Sequence, residues 1–375
     1  MKNKIRVGII FGGKSSEHEV SLLSAQTVYE SLDKEKYDPV LIGIDKQGRW
    51  HLCDPLRFLA YADDPKRVCL DGITEPLGII PANDSLFLNV LNLEASNPAV
   101  DVVFPIVHGT HGEDGTLQGL LKLAGIPFVG AGVLGSAVGM DKDVMKRLLR
   151  DAGIPVTPFL TFHEFQKPTL SFEQIVEQLG LPLFIKPANN GSSIGISKVS
   201  TKQEFDQAIE LAFAYDRKIL IEAFVKGREI ECSIMGNHCP IASLPGEVVP
   251  KDDFNSWDAK YINDQCSFMI PARLDEDQIQ QMQEIAIRTY QVLCCEGMAR
   301  VDCFLTDAGK FIVNEINTLP GFTKLSVFPR LWQASGVSYS KLVDHLIEYA
   351  LERNQRELVL KNSAPYSFLV PGAGP

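Results

Sequence analysis

The sequence predicts an α/β protein that is α+β in part, with a parallel sheet at its N-terminal end. Three observations predict it. The run Lys4-Ile5-Arg6-Val7-Gly8-Ile9-Ile10-Phe11 is a short apolar segment that ends in Gly12-Gly13, as a buried strand does when it enters a turn. "DPVLIGI" (38–44) and "DVVFPIVHG" (101–109) repeat the pattern, and Val20, Leu23, Val28 and Leu32 recur at helical spacing between the first two runs. This β-α-β rhythm implies parallel strands, with ligands at their carboxyl ends, where Gly12-Gly13 and His108-Gly109 stand.

Each element follows in order. A helix is expected from His18 to about Leu32, and residues 50–98 read as irregular. The stretch 126–156 crosses into a second unit through a helix ending at Gly153 and Pro155. Strands then dominate: "PLFIKPA" (182–188), "ISKV" (196–199), "KILIEAFV" (218–225) and "EIECSIMG" (229–236), with one helix over 201–215 among them. Residues 246–268 are polar and aperiodic and read as a long functional loop. A helix is expected over 275–294 and a last one over 338–353, before a proline-containing tail.

Composition narrows the class. A chain of 375 residues suggests two or three domains. The net charge of -11 argues against a general nucleic-acid binder. No apolar run approaches the ~18 residues that span a membrane, and the N-terminal apolar patch is too short for a signal-peptide core. Eight cysteines without a CxxC pair point to reduced thiols in a cytoplasmic protein.

Two motifs are set aside. Gly8 to Ser15 satisfies GxxxxGK[ST], but Ile9, Ile10 and Phe11 continue the strand where a phosphate loop would already be turning. Gly130-Ala131-Gly132-Val133-Leu134-Gly135 satisfies GxGxxG, yet the next strand lacks the ribose-binding acid at its end. A tight glycine turn is the better reading. A dinucleotide-dependent oxidoreductase is the rival from another enzyme class.

The chemistry is most legible in a hairpin. Arg300-Val301-Asp302-Cys303-Phe304-Leu305 and Phe311-Ile312-Val313-Asn314-Glu315-Ile316-Asn317 flank the turn residues Asp307-Ala308-Gly309. Folding about Ala308-Gly309 sets Asp302 opposite Glu315 and Arg300 opposite Asn317, on one face. Val301, Cys303, Leu305, Ile312 and Ile316 are then expected on the core face. Two facing carboxylates repel unless a cation lies between them, and hard oxygen ligands suit Mg²⁺ with phosphates in its other positions. The plainer alternative is that Arg300 simply neutralises Asp302. Phosphate-binding candidates are Lys142, Lys186 and the turn Gly191-Ser192-Ser193, whose backbone N–H groups can face an anion. Glu222 and Glu229 are candidates for the base and ribose of a nucleotide.

Together these residues resemble a family. "GGKSSEHEVS", "HGTHGEDGTLQG", "GMDKDVMK", "IKPANNGSSIGISKV", "AKYI", "ARVDCF" and "NEINTLPGFT" occur in order, as in D-alanine–D-alanine ligases of the ATP-grasp superfamily, over about Ile5 to Glu352. The resemblance implies a preATP-grasp domain over 1–140 holding the first D-alanine. A central ATP-grasp subdomain over 141–228 would bind phosphate and adenine. A C-terminal subdomain over 229–352 would bind metal and the second D-alanine, and a tail over 353–375 follows.

It also implies that ATP phosphorylates one D-alanine, that the amine of a second attacks the acyl phosphate, and that two Mg²⁺ or Mn²⁺ ions are held by Asp302, Glu315 and Asn317. Lys142, Lys186 and Lys260 would meet the phosphates. Glu222, Ala223, Val225 and Glu229 would hold the adenosine, with Ser193, Phe224, Phe254 and Phe304 completing that site. Glu17 would receive the first ammonium beside His108, with Ser192 and Tyr261 bonded toward Glu17. Arg300 and Gly321 would form the oxyanion hole, and Ser326 would join Arg300 on the second carboxylate. The implied partners are D-alanine and ATP, with no nucleic acid and no membrane, and a homodimer is left open. Ligases that accept D-serine or D-lactate are the nearest alternative. Trp257 stands where many relatives have tyrosine. "HGTH" with Glu113 nearby suggests zinc, but lacks further ligands in sequence reach.

Overall fold

A computed structural model describes residues 4–61, 64, 67–80, 87–90, 100–250 and 266–360. The strands β1 (Ile5–Gly12), β2 (Tyr37–Ile44), β3 (Trp50–Cys53), β4 (Leu59–Ala60), β5 (Cys69–Leu70), β6 (Ile73–Ile80), β7 (Phe87–Val90) and β8 (Val102–Pro105) come first. The first sheet runs β7-β6-β3-β2-β1-β8, and β4 pairs with β5 apart from it. Strand β1 is parallel to both β2 and β8, as the β-α-β rhythm requires. Strands β3, β6 and β7 are antiparallel additions, so residues 50–53, 73–80 and 87–90 are not irregular as expected. They form one edge of the sheet in segments interrupted by residues such as Glu75, Pro76 and Asn89, so they lack the continuous apolar run of a buried parallel strand. Helix α1 (His18–Ser31) joins β1 to β2.

Helices α2 (Thr116–Leu123), α3 (Val133–Met140) and α4 (Lys142–Asp151) carry the chain onward. Asp141 breaks the helix between α3 and α4 because its carboxylate accepts the first N–H groups of α4, those of Asp143 and Val144. Gly153, at φ +70°, ends α4. A second sheet then runs β11 (Ser197–Val199), β10 (Leu183–Pro187), β12 (Lys218–Ala223), β9 (Phe159–His163). Helices α5 (Phe172–Leu179) and α6 (Lys202–Tyr215) pack on it, α6 beginning with a reciprocal Thr201–Glu204 cap. Ile175, Ile185, Phe205, Ile209 and Ile221 form a separate core there.

The third sheet runs β16 (Cys266–Met269), β15 (Gly246–Pro250), β13 (Gly227–Gly236), β17 (Gly297–Thr306), β18 (Phe311–Asn317), with β14 (Ile241–Ala242) beside β13. The expected loop over 246–268 is therefore bounded by two strands that pair with each other, Glu247 opposite Met269. Helix α7 (Glu276–Val292) covers this sheet, and α8 (Val327–Ala334) and α9 (Tyr339–Leu358) follow. Helix α9 runs five residues past the expected end at Arg353, since Asn354-Gln355-Arg356-Glu357-Leu358 contains no helix breaker.

Packing places α4 against the third sheet. Met145 and Leu149 of α4 are buried with Ile230, Val301 and Tyr290 of the third sheet and α7, not with the second sheet. A common core also joins Val7 and Phe104 of the first sheet to Met298, Phe322, Phe328 and Leu346. Arg353, buried in α9, donates to the carbonyls of Gly130 and Phe128 at 2.6 Å each and lies 4.5 Å from the Phe128 ring. Among the described residues no helix is long and apolar enough to cross a membrane. Seven described cysteines are free, and four of them are buried.

Candidate active site

The hairpin pairs Asp302 with Glu315 and Arg300 with Asn317, the expected partners. It reaches that register by a different route. Leu305 pairs with Phe311, one residue tighter than a turn about Ala308-Gly309, and a bulge between Asp302 and Cys303 restores the offset at Asn314. Ile312 therefore shares the Phe304 and Asp302 face, a correction to its expected place in the core. Phe311 and Val313 take the core positions instead.

Asp302 is 2% exposed. Arg300 grips its carboxylate with two bonds, Nε to Oδ1 at 2.7 Å and Nη2 to Oδ2 at 2.8 Å. The same guanidinium lies 3.1 Å from Glu231, a buried acid on β13 directly opposite Asp302. Burial pushes the Asp302 carboxyl up, Arg300 opposes this, and Glu315 and Glu229 add to the rise. The simple ion pair weighed against a metal site is thus present, alongside the opposed acids that a cation would bridge. Glu315 has its own cation, Lys142 Nζ at 3.4 Å, and Asn317 Oδ1 accepts the Leu319 N–H at 3.2 Å.

These oxygens fit a hard divalent ion. Two buried or half-buried carboxylates and an amide oxygen face one way, and Glu315 adds to the rise that burial imposes on Asp302, a repulsion that a cation between them would relieve. The zinc reading finds no support. His108 is buried while the His111 side chain is 69% exposed, and no group of three or more His, Cys, Asp or Glu among the described residues could hold a metal ion.

Glu17 stands just before α1, beyond the carboxyl end of β1. Ser192 Oγ donates to Glu17 Oε1 across 175 positions of sequence. Ser192 and Ser193 have φ of +52° and +59°, left-handed values that side chains rarely adopt. Burial raises the Glu17 carboxyl above its ordinary range, Glu113 raises it further, and His108 and Ser192 oppose.

His108 packs nearby, with Nδ1–H donating to Leu319 O at 3.1 Å and Nε2 3.0 Å from Ser24 Oγ. Burial disfavours its charged form, but Glu113 at 3.6 Å and Glu17 more than offset that and raise its pKa. Ser24 Oγ also accepts the Phe322 N–H at 3.1 Å, so His108 and Ser24 fasten both ends of the segment holding Gly321. A methyl at Gly321 would lie 2.8 Å from Ser326 Oγ, which the Thr323 N–H and hydroxyl hold at 3.0 and 2.8 Å.

On the second sheet Glu222 is 2% exposed, between Lys186 at 2.8 Å and Lys146 at 3.2 Å. Burial alone would push its carboxyl up, and the two lysines hold it below the usual range. The Ala223 N–H is committed to Pro158 O and the Phe224 N–H to Pro182 O. The Phe184 and Phe224 rings stack at 6.1 Å. Glu229 lies opposite Phe304 on the face that carries Asp302. Phe254, Lys260 and Tyr261 lie outside the described residues, as does Trp257. Glu231, Lys146 and Ser24 were missed in the sequence because each depends on a partner in a distant element.

Residues 6–131 match the family described as D-ala D-ala ligase N-terminus, and residues 148–348 that described as D-ala D-ala ligase C-terminus. The chain belongs to the D-alanine–D-alanine ligase family. It is 56% identical over 361 residues to the D-alanine–D-alanine ligase of Shouchella clausii, covering 96% of this chain and 98% of that one. Identity to D-alanine–D-alanine ligase A of Escherichia coli K12 is 50% over 365 residues, covering 96% and 99%. Among solved structures, the D-alanine-D-alanine ligase from Coxiella burnetii superposes with a TM-score of 0.83 at 39% identity, covering 95% and 96%. The VanG D-Ala:D-Ser ligase from Enterococcus faecalis gives 0.79 at 36%, covering 93% and 100%. The fold is thus the ATP-grasp fold of this ligase family, and the rival oxidoreductase reading falls away.

Proposed function

We infer that the protein joins two molecules of D-alanine into D-alanyl-D-alanine, cleaving ATP to ADP and phosphate, for peptidoglycan precursors made in the cytoplasm. The observation that carries this reading is the bond from Ser192 to Glu17. It brings an anion-cradling turn against an acid able to take a substrate ammonium.

Glu17 holds the ammonium of the first D-alanine, with Ser192 and His108 beside it. Lys142 and Lys186 meet the phosphates of ATP, and Val225 offers its N–H to the adenine edge because that of Ala223 is already committed. Transfer of the terminal phosphoryl group to the first carboxylate gives an acyl phosphate. The amine of the second D-alanine attacks its carbonyl carbon, a proton leaves the nitrogen, and phosphate departs with the C–O bonding pair. Arg300 and the Gly321 N–H stabilise the oxyanion of that step, and Arg300 with Ser326 holds the second carboxylate. Asp302, Glu315 and Asn317 would hold two magnesium or manganese ions, which supply charge neutralisation to the phosphates when bound.

The likeness to a D-Ala:D-Ser ligase favours D-serine as the second reading for the acceptor. Phosphate release is measured with D-alanine alone, then with limiting D-alanine plus D-serine or D-lactate. Dipeptide formed from D-alanine alone supports the main reading. Release that requires D-serine or D-lactate overturns it in favour of the alternative acceptor.

A further inference from the structure

Lys146 has no place in the chemistry above, yet it is one of the largest fully buried side chains, with 0% exposure. It sits one helical turn after Lys142 on α4, on the same face, where like charges repel. Its ammonium lies 3.2 Å from Glu222 Oε1, while Lys186 lies 2.8 Å from Glu222 Oε2. One buried carboxylate therefore serves two ammonium groups that come from different elements. Lys142 and Glu315 form an adjoining pair at 3.4 Å. Glu222 is thus the buried acid with two lysines on it, while Lys142 has a half-exposed acid of its own.

The second ammonium on Glu222 has a use if Lys186 must turn to a phosphate. A buried carboxylate stripped of its only cation is strongly destabilising, so Lys186 could leave Glu222 only if a second cation stayed behind. We propose that Lys146 is a positioning residue for nucleotide binding: it keeps Glu222 ionised and in place, so that Lys186 can meet a phosphate without leaving a buried acid unpaired. This rests on the reading of Lys186 as a phosphate ligand. Burial pushes the Lys146 ammonium down to about 8, with Glu222 opposing and Lys186 adding to the fall. Its charge is therefore maintained by Glu222, as a division of labour between the two lysines requires. Helix α4 joins the core of the third sheet and α7 through Met145 and Leu149, so the Lys146–Glu222 contact also ties the second sheet to the body that carries Asp302.

The test is equilibrium binding of Mg-ATP by calorimetry without D-alanine, on the full chain. Lys146→Met should weaken binding by about tenfold or more, and Lys146→Arg should recover most of it. If Lys146 acts through Glu222, then Lys146→Met added to Glu222→Gln should cost less than about threefold, a coupling that a packing role would not produce. The Lys146→Met/Glu222→Gln pair removes both charges together, so it and Lys146→Arg carry the comparison if Lys146→Met fails to fold. Binding by Lys146→Met within about twofold of the parent overturns the proposal, as does an equal cost in both backgrounds. Lys186→Met separates the two readings. Undiminished binding there removes the phosphate role of Lys186 and this proposal with it, whereas a loss with Lys186→Met and none with Lys146→Met removes this proposal alone.

Discussion

Replacing Arg300 with lysine keeps one positive charge and removes a planar fork. The fork spans three contacts: 2.7 and 2.8 Å to the two oxygens of Asp302, and 3.1 Å to Glu231. A single ammonium at the end of a flexible stem cannot keep the bidentate grip and also reach Glu231. At least one charge-assisted bond is lost, at about 1.5–3 kcal/mol, and urea unfolding without ligands should register that loss. Ligation should fall further. If the guanidinium donates to the tetrahedral oxyanion, the drop should be about 10²–10³-fold in kcat, the scale of losing one oxyanion donor. If lysines on α4 and β10 set ATP affinity, as proposed, it should stay within about threefold. Phosphate release with D-alanine and calorimetric ATP binding are measured on the same preparation. A fall in ATP affinity as large as the fall in ligation would refute the reasoning and assign Arg300 to the nucleotide.

Three further outcomes are expected. Glu315→Gln should abolish ligation and weaken Mg²⁺-dependent ATP binding, while unfolding without ligands changes little, because lost repulsion with Asp302 and lost attraction to Lys142 at 3.4 Å oppose each other; near-normal turnover would sink the metal reading. For Glu17 the folded-state pKa lies above the unfolded one, so its contribution to stability is present below the ordinary carboxylate range and is lost as pH rises through the folded value. Glu17→Gln should therefore melt higher than the parent at neutral pH, lose that advantage near pH 4, and no longer be protected by D-alanine; an advantage independent of pH would contradict the burial argument. Gly321→Ala places a methyl 2.8 Å from Ser326 Oγ and should raise KM for the acceptor, with overpacking of about 1–3 kcal/mol partly relieved by adding Ser326→Ala. An unchanged acceptor KM would remove Gly321 from that pocket.

The strands of the first sheet that bury both faces were legible because a parallel strand advertises itself as a continuous apolar run, as Val7 to Phe11 do. Strands β3, β6 and β7 were not, since an antiparallel edge needs no such run. The pairing of Asp302 with Glu315 was legible from turn chemistry, although two offsets had to cancel: a tighter turn and the bulge near Asn314. No local pattern signals a bulge of that kind, which is why Ile312 was set on the wrong face. Glu231, Ser24 and Lys146 show the remaining limit. An acid on a strand or a lysine on a helix looks like solvated charge until its partner arrives, and Arg300 is 69 positions from Glu231 while Glu222 is 76 from Lys146.

Arg353 bonds the last helix to the carbonyls of Phe128 and Gly130, where the chain leaves the first sheet. Phe104 and Val7 share a core with Met298, Phe322 and Leu346, so the acid proposed to take one amino acid and the fork proposed to take the other stand on elements joined by one core. If those roles hold, that core sets the spacing of the two reactants like the gauge of a track, while the second sheet packs on a core of its own. A loosened Arg353 should appear as mispositioned acceptors, with ATP consumed and no peptide bond made.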